Sequence, residues 1–296
     1  MRRWRLWVVL VALVAGVAWW QALPRPLPAS TLDGITGDAS RGALVFAAAG
    51  CAACHMAPGA DLTDAPVLSG GRAFPTAFGT FIAPNISTDP VAGIGDWSDM
   101  QILNAVMRGI GRDGQHLYPA FPYATYGHAA LQDMADLISY LRTLPADSTP
   151  SKASKLAFPF SFRPALGLWK RLFIAPGWVV SGDLTPEQAR GRYLVEALGH
   201  CAECHTPRNI LGGPERDHWL AGAKNPAGRG RIPNITPARL DWSKADIAEY
   251  LKSGFTPSYD TVGGAMAEVV ANTAHLTDAD RAAIAAYLKI VPPVAR

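Results

Sequence analysis

Every cysteine in the chain belongs to one of two copies of a single pentapeptide, Cys51-Ala52-Ala53-Cys54-His55 and Cys201-Ala202-Glu203-Cys204-His205. Cys-x-x-Cys-His is the attachment signature of a c-type haem. The two thiols add to the porphyrin vinyls, and the adjacent histidine stands where it can become the first axial ligand of the iron. Other uses of the cysteines explain less. Structural zinc motifs space their Cys-x-x-Cys pairs by a few tens of residues at most, and Cys51 and Cys201 are far more distant. A thioredoxin-like pair needs a βαβ context, and neither copy follows a strand pattern. Structural disulfides would leave both histidines without a reason. The expectation is two covalently bound haem c groups and electron-transfer chemistry.

Composition bounds the rest. The 296 residues carry a formal net charge of only +3, which gives no nucleic-acid footprint, and 17 % charged with 49 % hydrophobic residues suits a folded protein with one apolar addition. That addition opens the chain. Met1-Arg2-Arg3-Trp4-Arg5 is a basic flank, and Leu6 to Leu23 carries no charged residue, a run at the lower limit for crossing a bilayer core of about 30 Å. Trp4 and Trp7 mark one edge and Trp19 and Trp20 the other, as interfacial aromatic belts do. A cleaved signal peptide is the competing reading, but no clear small-x-small site follows the run. With the arginines held in the cytoplasm, everything after Gln21 is exported. Pro24, Pro26 and Pro28 then form a stiff stalk.

The remainder reads as one unit written twice. Gly42 to Gly50 leads into the first pentapeptide as Gly191 to His200 leads into the second. Pro84-Asn85-Ile86 recurs as Pro233-Asn234-Ile235, Asp96-Trp97-Ser98 as Asp241-Trp242-Ser243, Gly109 as Gly254, and Tyr140-Leu141 as Tyr287-Leu288. Each unit reads as helical. Thr185 with Pro186 and Gln188, and Ser98 with Gln101, have the form of capping boxes, and Thr277 with Asp280 resembles them. Strand-like alternation is nearly absent. The expected fold class is all-α: two tandem haem domains after an N-terminal transmembrane helix, with anchor and stalk at 1–29, a first domain at 37–147, a second at 183–296, and a linker at 148–182. The linker holds Phe158, Phe160, Phe162, Trp169, Phe173 and Trp178. Its rings either pack the two domains together or form a docking surface for a partner or the membrane.

The second axial ligand differs between the units. In the second, Met266 lies in the irregular Gly263-Gly264-Ala265-Met266 stretch before the last helix, where a thioether gives His/Met coordination. In the first, the corresponding position is Phe121, which cannot bind iron. Met107 and Met134 align with Lys252 and Arg281 and are expected to point outward; Met56 adjoins His55, and Met100 starts a helix. His128 aligns with His275, which suggests a solvated loop histidine in both. Three states stay open for the first iron: bis-His through His116 or His128, His/Met through an unexpected methionine, or five-coordinate.

Gly114-Gln115-His116-Leu117-Tyr118-Pro119-Ala120, Phe81-Ile82-Ala83-Pro84-Asn85-Ile86, the Asp136 to Leu141 helix, Cys204-His205-Thr206-Pro207-Arg208-Asn209 and Asn234-Ile235-Thr236-Pro237 carry a resemblance. On these motifs the chain resembles the cytochrome c subunits of membrane-bound periplasmic dehydrogenases for alcohols, aldehydes and gluconate, in a dihaem branch. The resemblance implies cytochrome c folds, haem attachment at Cys51, Cys54, Cys201 and Cys204, proximal ligands His55 and His205, and distal Met266. It also implies that the Pro84 and Pro233 carbonyls orient the proximal histidines. The expected partners are a periplasmic dehydrogenase subunit that does the substrate chemistry and a downstream acceptor: quinone, cytochrome or oxidase. The expected location is the inner membrane, with the haem domains in the periplasm. Many such subunits carry three haems and a methionine where Phe121 stands, so this chain departs from them in both respects and the distal ligand does not transfer to the first unit. The rival expectation is a dihaem redox enzyme, of peroxidase or thiosulfate-oxidising type, with an open first iron and a polar group such as His116 or Arg112 beside it.

Overall fold

The computed structural model describes residues 2–226, 228 and 230–295. Its first element is α1 (Arg2–Ala22), whose stretch Arg3–Ala22 is long and apolar enough to cross a membrane and is almost wholly uncovered by the rest of the chain. The first helical unit contains α2 (Ala39–Ala48), α3 (Cys51–His55), α4 (Asp99–Arg108), α5 (Tyr123–Tyr126) and α6 (Leu131–Leu141), with a hairpin of β1 (Ala73–Thr76) and β2 (Gly79–Ile82) between α3 and α4. Then come β3 (Lys155–Leu156) and α7 (Ala165–Phe173). The second unit holds α8 (Pro186–Tyr193), α9 (Ala202–His205), β4 (Ala223–Lys224), β5 (Arg231–Ile232), α10 (Lys244–Ser253), α11 (Ala265–Thr273) and α12 (Asp278–Leu288).

Each unit is closed by the crossing of its first and last helices, and a glycine permits the approach. A Cβ on Gly42 of α2 would lie 2.0 Å from the Asp136 carbonyl oxygen on α6, and one on Gly191 of α8 would lie 1.9 Å from the Ala283 oxygen on α12. No side chain fits there. Around the first crossing, the Asp136 carboxylate accepts from the Asp38 N–H (2.7 Å), the Arg41 guanidinium (2.7 and 2.8 Å) and Gln132 Nε2 (2.9 Å). Burial pushes the Asp136 carboxyl up, but these donors outweigh it and hold it below the usual carboxylate range.

The helix boundaries follow local chemistry. Ser98 with Gln101, Ser243 with Asp246 and Thr185 with Gln188 form full capping boxes, and Thr277 accepts from the Asp280 N–H. At the far ends of α4 and α10, Gly109 (φ 59°) and Gly254 (φ 79°) take the left-handed conformation that terminates a helix at little cost to glycine.

The expected mostly helical fold stands, with a few short strands besides: β1, β2 and β3 form one antiparallel sheet and β4 and β5 another. At two to four residues each, they are too short for alternation to register. Met107 and Met134 are buried rather than outward-facing. The reason is visible at Arg281, the counterpart of Met134, which is itself buried and donates to the carbonyls of Thr273 (3.0 Å), Ala274 (3.1 Å) and Leu276. A charged counterpart therefore did not mark a solvent face. His128 is half-buried against Trp178, with ring centroids 5.4 Å apart, whereas His275 is exposed.

The segment 148–182 divides its aromatic residues. Trp178 sits between His128 and Arg192, and Trp169 Nε1 donates to the Leu211 carbonyl at 2.9 Å. The backbone N–H groups of Val179 and Val180 donate to the buried Glu196 carboxylate at 2.6 and 3.2 Å. These residues tie the units together. Phe158 and Phe162 remain largely exposed. The segment also closes on the end of α1. His116 Nε2 donates to the Ala22 carbonyl (2.7 Å), Arg171 Nε donates to the Gln21 carbonyl (2.7 Å), and a Cβ on Gly167 of α7 would lie 2.0 Å from the Ala22 oxygen. Two of the carbonyls that a helix leaves unsatisfied at its C-terminus are thereby partnered.

Candidate haem attachment sites

α2 ends at Ala48, Gly50 turns the chain through φ 62°, and α3 starts at Cys51. This short helix presents Cys51, Cys54 and His55 in succession. His55 Nδ1 donates to the Pro84 carbonyl at 2.9 Å, and in the second unit His205 Nδ1 donates to the Pro233 carbonyl at 2.8 Å. A carbonyl can only accept, so the proton is assigned to Nδ1 and the lone pair is left on Nε2. Burial pushes both imidazoles down, against the smaller opposing effect of the proline carbonyls. Both rings are thus neutral and oriented, as a metal-binding imidazole must be.

The proline loops are themselves fixed. Asn85 Nδ2 donates to the carbonyls of Asp147 (2.7 Å) and Thr149 (2.9 Å), and its Oδ1 accepts from the Ser87 N–H (2.8 Å). Asn234 repeats this with Val294 (2.8 Å) and the Thr236 N–H (2.8 Å). Each asparagine pins its loop to the chain that leaves the closing helix. Sequence reasoning noted the repeated Pro-Asn-Ile but missed this job; the signal was a polar residue repeated between apolar neighbours.

The donor chemistry suits covalent haem. None of the four thiols is in a disulfide, so all four are free for thioether bonds to porphyrin vinyls, and burial pushes Cys51 and Cys201 up to about 12. Among the described residues, no three His, Cys, Asp or Glu side chains converge on one point. Met266, the second residue of α11, is half-buried against the core.

In the first unit Phe121 meets Tyr123 and Tyr126 edge-on, with centroids 6.4 and 5.8 Å apart. His116 is buried and committed through Nε2 to Ala22, and His128 lies on Trp178. Arg112, the polar group a first-site enzyme could use, is exposed and paired with Asp96 at 2.9 Å.

The two pentapeptides meet. His200, which precedes Cys201, donates through Nε2 to the Ala49 carbonyl at 3.1 Å, two residues before Cys51, and the Tyr126 hydroxyl donates to the same oxygen at 2.8 Å. Arg72 of the first unit donates to the Ala53 carbonyl at 2.6 Å, inside the first pentapeptide, and pairs with Glu268 on α11, the helix of Met266.

Residues 39–145 match the family model of cytochrome c, and residues 186–288 match that of cytochrome c oxidase, cbb3-type, subunit III. The chain is 54 % identical to a diheme cytochrome c-type protein of Cereibacter sphaeroides, over 97 % of this chain and 96 % of that one. It is 39 % identical to the fructose dehydrogenase cytochrome subunit of Gluconobacter japonicus, over 95 % of this chain and 58 % of the relative. The gluconate 2-dehydrogenase cytochrome c subunit of Pantoea cypripedii is 33 % identical, over 95 % and 64 %. The chain thus spans less than two thirds of those two dehydrogenase subunits. The matches define the class, two cytochrome c domains in one chain. Within it, the chain belongs to the dihaem c-type cytochrome family and carries two covalently attached haem c groups. Its relatives are electron-transfer components rather than the catalytic subunits of their complexes.

Proposed function

We propose that this cytochrome is a membrane-anchored subunit that takes electrons from a periplasmic dehydrogenase and passes them to a quinone, cytochrome or oxidase. The observation that carries the reading is the matched pair of Nδ1–carbonyl bonds, His55 to Pro84 and His205 to Pro233, each beside a free thiol pair. On this reading Cys51 and Cys54 hold one haem and Cys201 and Cys204 the other, with His55 and His205 as proximal ligands and Met266 as the distal ligand of the second. Each haem supplies reversible one-electron chemistry at its iron.

The chain's own residues do the rest. Pro84 and Pro233 fix the tautomers, and Asn85 and Asn234 fix the prolines. α1 holds the module at the membrane, and the haem domains lie on the periplasmic side, where the basic flank of α1 orients them. At the first haem, Phe121 stands where a methionine would serve, His116 donates through Nε2 to Ala22 with its buried Nδ1 unpartnered, and His128 packs on Trp178; we read this site as open, and His116 Nδ1 is the group that would close it. The enzymatic alternative is not favoured, because Arg112 is spent on Asp96 at the surface.

A carbon monoxide difference spectrum of the reduced protein, scaled to total haem, tests the ligand assignment. Binding to half the haem is expected. Binding to none would mean a sixth ligand at the first iron, and His116→Ala and His128→Ala would identify it. The partner is tested by gentle detergent extraction: a dehydrogenase subunit should co-purify with the cytochrome and reduce it on adding substrate.

A further inference from the structure

α1 ends against the body of the protein, and that contact fixes a height. Arg3–Ala22 is 20 residues, so at about 1.5 Å per residue it spans about 30 Å, the thickness of the hydrocarbon core. With α1 across the bilayer, Ala22 stands at the outer boundary of that core. Gly167 packs on the Ala22 backbone so closely that no larger residue would fit, and Arg171 reaches the Gln21 carbonyl. α7 is therefore held at headgroup level.

The chemistry of that level matches what the segment exposes. Phe158 is 83 % exposed and Leu172 71 % exposed; Phe160, Phe162 and Leu168 are also exposed. Leu168 and Leu172 are one helical turn apart and share a face of α7. The segment reaches α1 from a second side as well: Arg163 donates to the His116 carbonyl (2.8 Å), and His116 in turn holds Ala22. Ile210, 92 % exposed, and Leu211 adjoin α7 through the bond from Trp169 to the Leu211 carbonyl. An apolar patch of this extent marks an interaction surface. Helices with leucine and phenylalanine on one face and basic residues beside them lie in the membrane interface, and Trp19, Trp20 and Arg25 already mark that interface at the end of α1.

We infer that the exposed face of residues 158–172, with Ile210 and Leu211, is a second membrane contact that lies in the outer headgroup layer beside α1. The inference rests on the reading of α1 as a spanning anchor. It makes the anchor a rigid mount: the haem domains are held against the bilayer at one orientation instead of swinging on a stalk.

The test uses the full-length holoprotein in phosphatidylcholine–phosphatidylglycerol vesicles. Phe158 and Leu172 are each replaced by the photo-crosslinking residue p-benzoylphenylalanine, with Tyr259, 87 % exposed in the second unit, as the exposure-matched control. Carbonate washing first shows whether the protein is integral. Retention with lipid adducts several-fold more abundant at positions 158 and 172 than at 259 supports the inference. Retention with adduct yields no higher than at 259 overturns it and leaves the anchor standing, as would crosslinking in native membranes to a polypeptide instead of lipid. Release by carbonate overturns the anchor reading, and the inference with it.

Discussion

His55 and His205 each owe their tautomer to one carbonyl, so their chemistry depends on residues outside the pentapeptide. The thiols and histidines were legible in the sequence because covalent attachment fixes residue type and spacing together. Met266 was singled out from an expected irregular stretch, whereas it lies on α11, and alignment of the two units exposed Phe121 as the gap. Asn85 and Asn234 were not legible as loop anchors, since their acceptors lie about 60 residues onward, at Asp147 and Val294. Replacing Met266→Ala should open the second iron and add one equivalent of carbon monoxide binding per chain, with little change at the first haem. Asp136→Asn should cost about 2 kcal/mol, the range for hydrogen bonds to a buried charge, measured by urea unfolding near neutral pH. Because the folded carboxyl is held below its unfolded value near 3.8, its contribution is fully present above that pH. It fades as pH falls through the lower folded value, so the wild type and Asp136→Asn should converge in acid.

At the scale of elements, capping residues announced α4, α8 and α12 well, because a cap is a local bargain between a side chain and the first free N–H groups. The short strands and the burial of Met107 and Met134 are tertiary outcomes and left no local trace. The crossing glycines lie between these cases. Gly42 and Gly191 were visible as a repeat, but their purpose needs the partner helix beside them. Gly42→Ala or Gly191→Ala drives a methyl group into the Asp136 or Ala283 backbone and should destabilise its unit by about 3 kcal/mol, the upper range for overpacking. Thermal unfolding followed at the haem band would register the loss. An effect below about 1 kcal/mol, within the range that cores absorb by repacking, would mean that the helices can separate at little cost.

Across the whole molecule, the repeat foretold two similar units but not that they meet at their pentapeptides. That meeting depends on Tyr126, Arg72 and Glu268, none of which belongs to a repeated motif, and on His200, whose counterpart in the repeat is Gly50. Arg72→Gln removes a positive charge beside the Ala53 carbonyl and releases Glu268 from its pair. Oxidised haem carries the extra positive charge, so losing Arg72 should favour oxidation and lower a midpoint potential on the order of tens of millivolts. Redox titration of Arg72→Gln against Arg72→Lys separates charge from geometry: the lysine variant should keep most of the potential.

The junction at the Ala49 carbonyl, where His200 and Tyr126 both donate, also bears on how the protein fills with charge. With a haem on each side of this junction, an electron on one would raise the electrostatic cost of placing a second on its neighbour, so the two would fill in unequal steps.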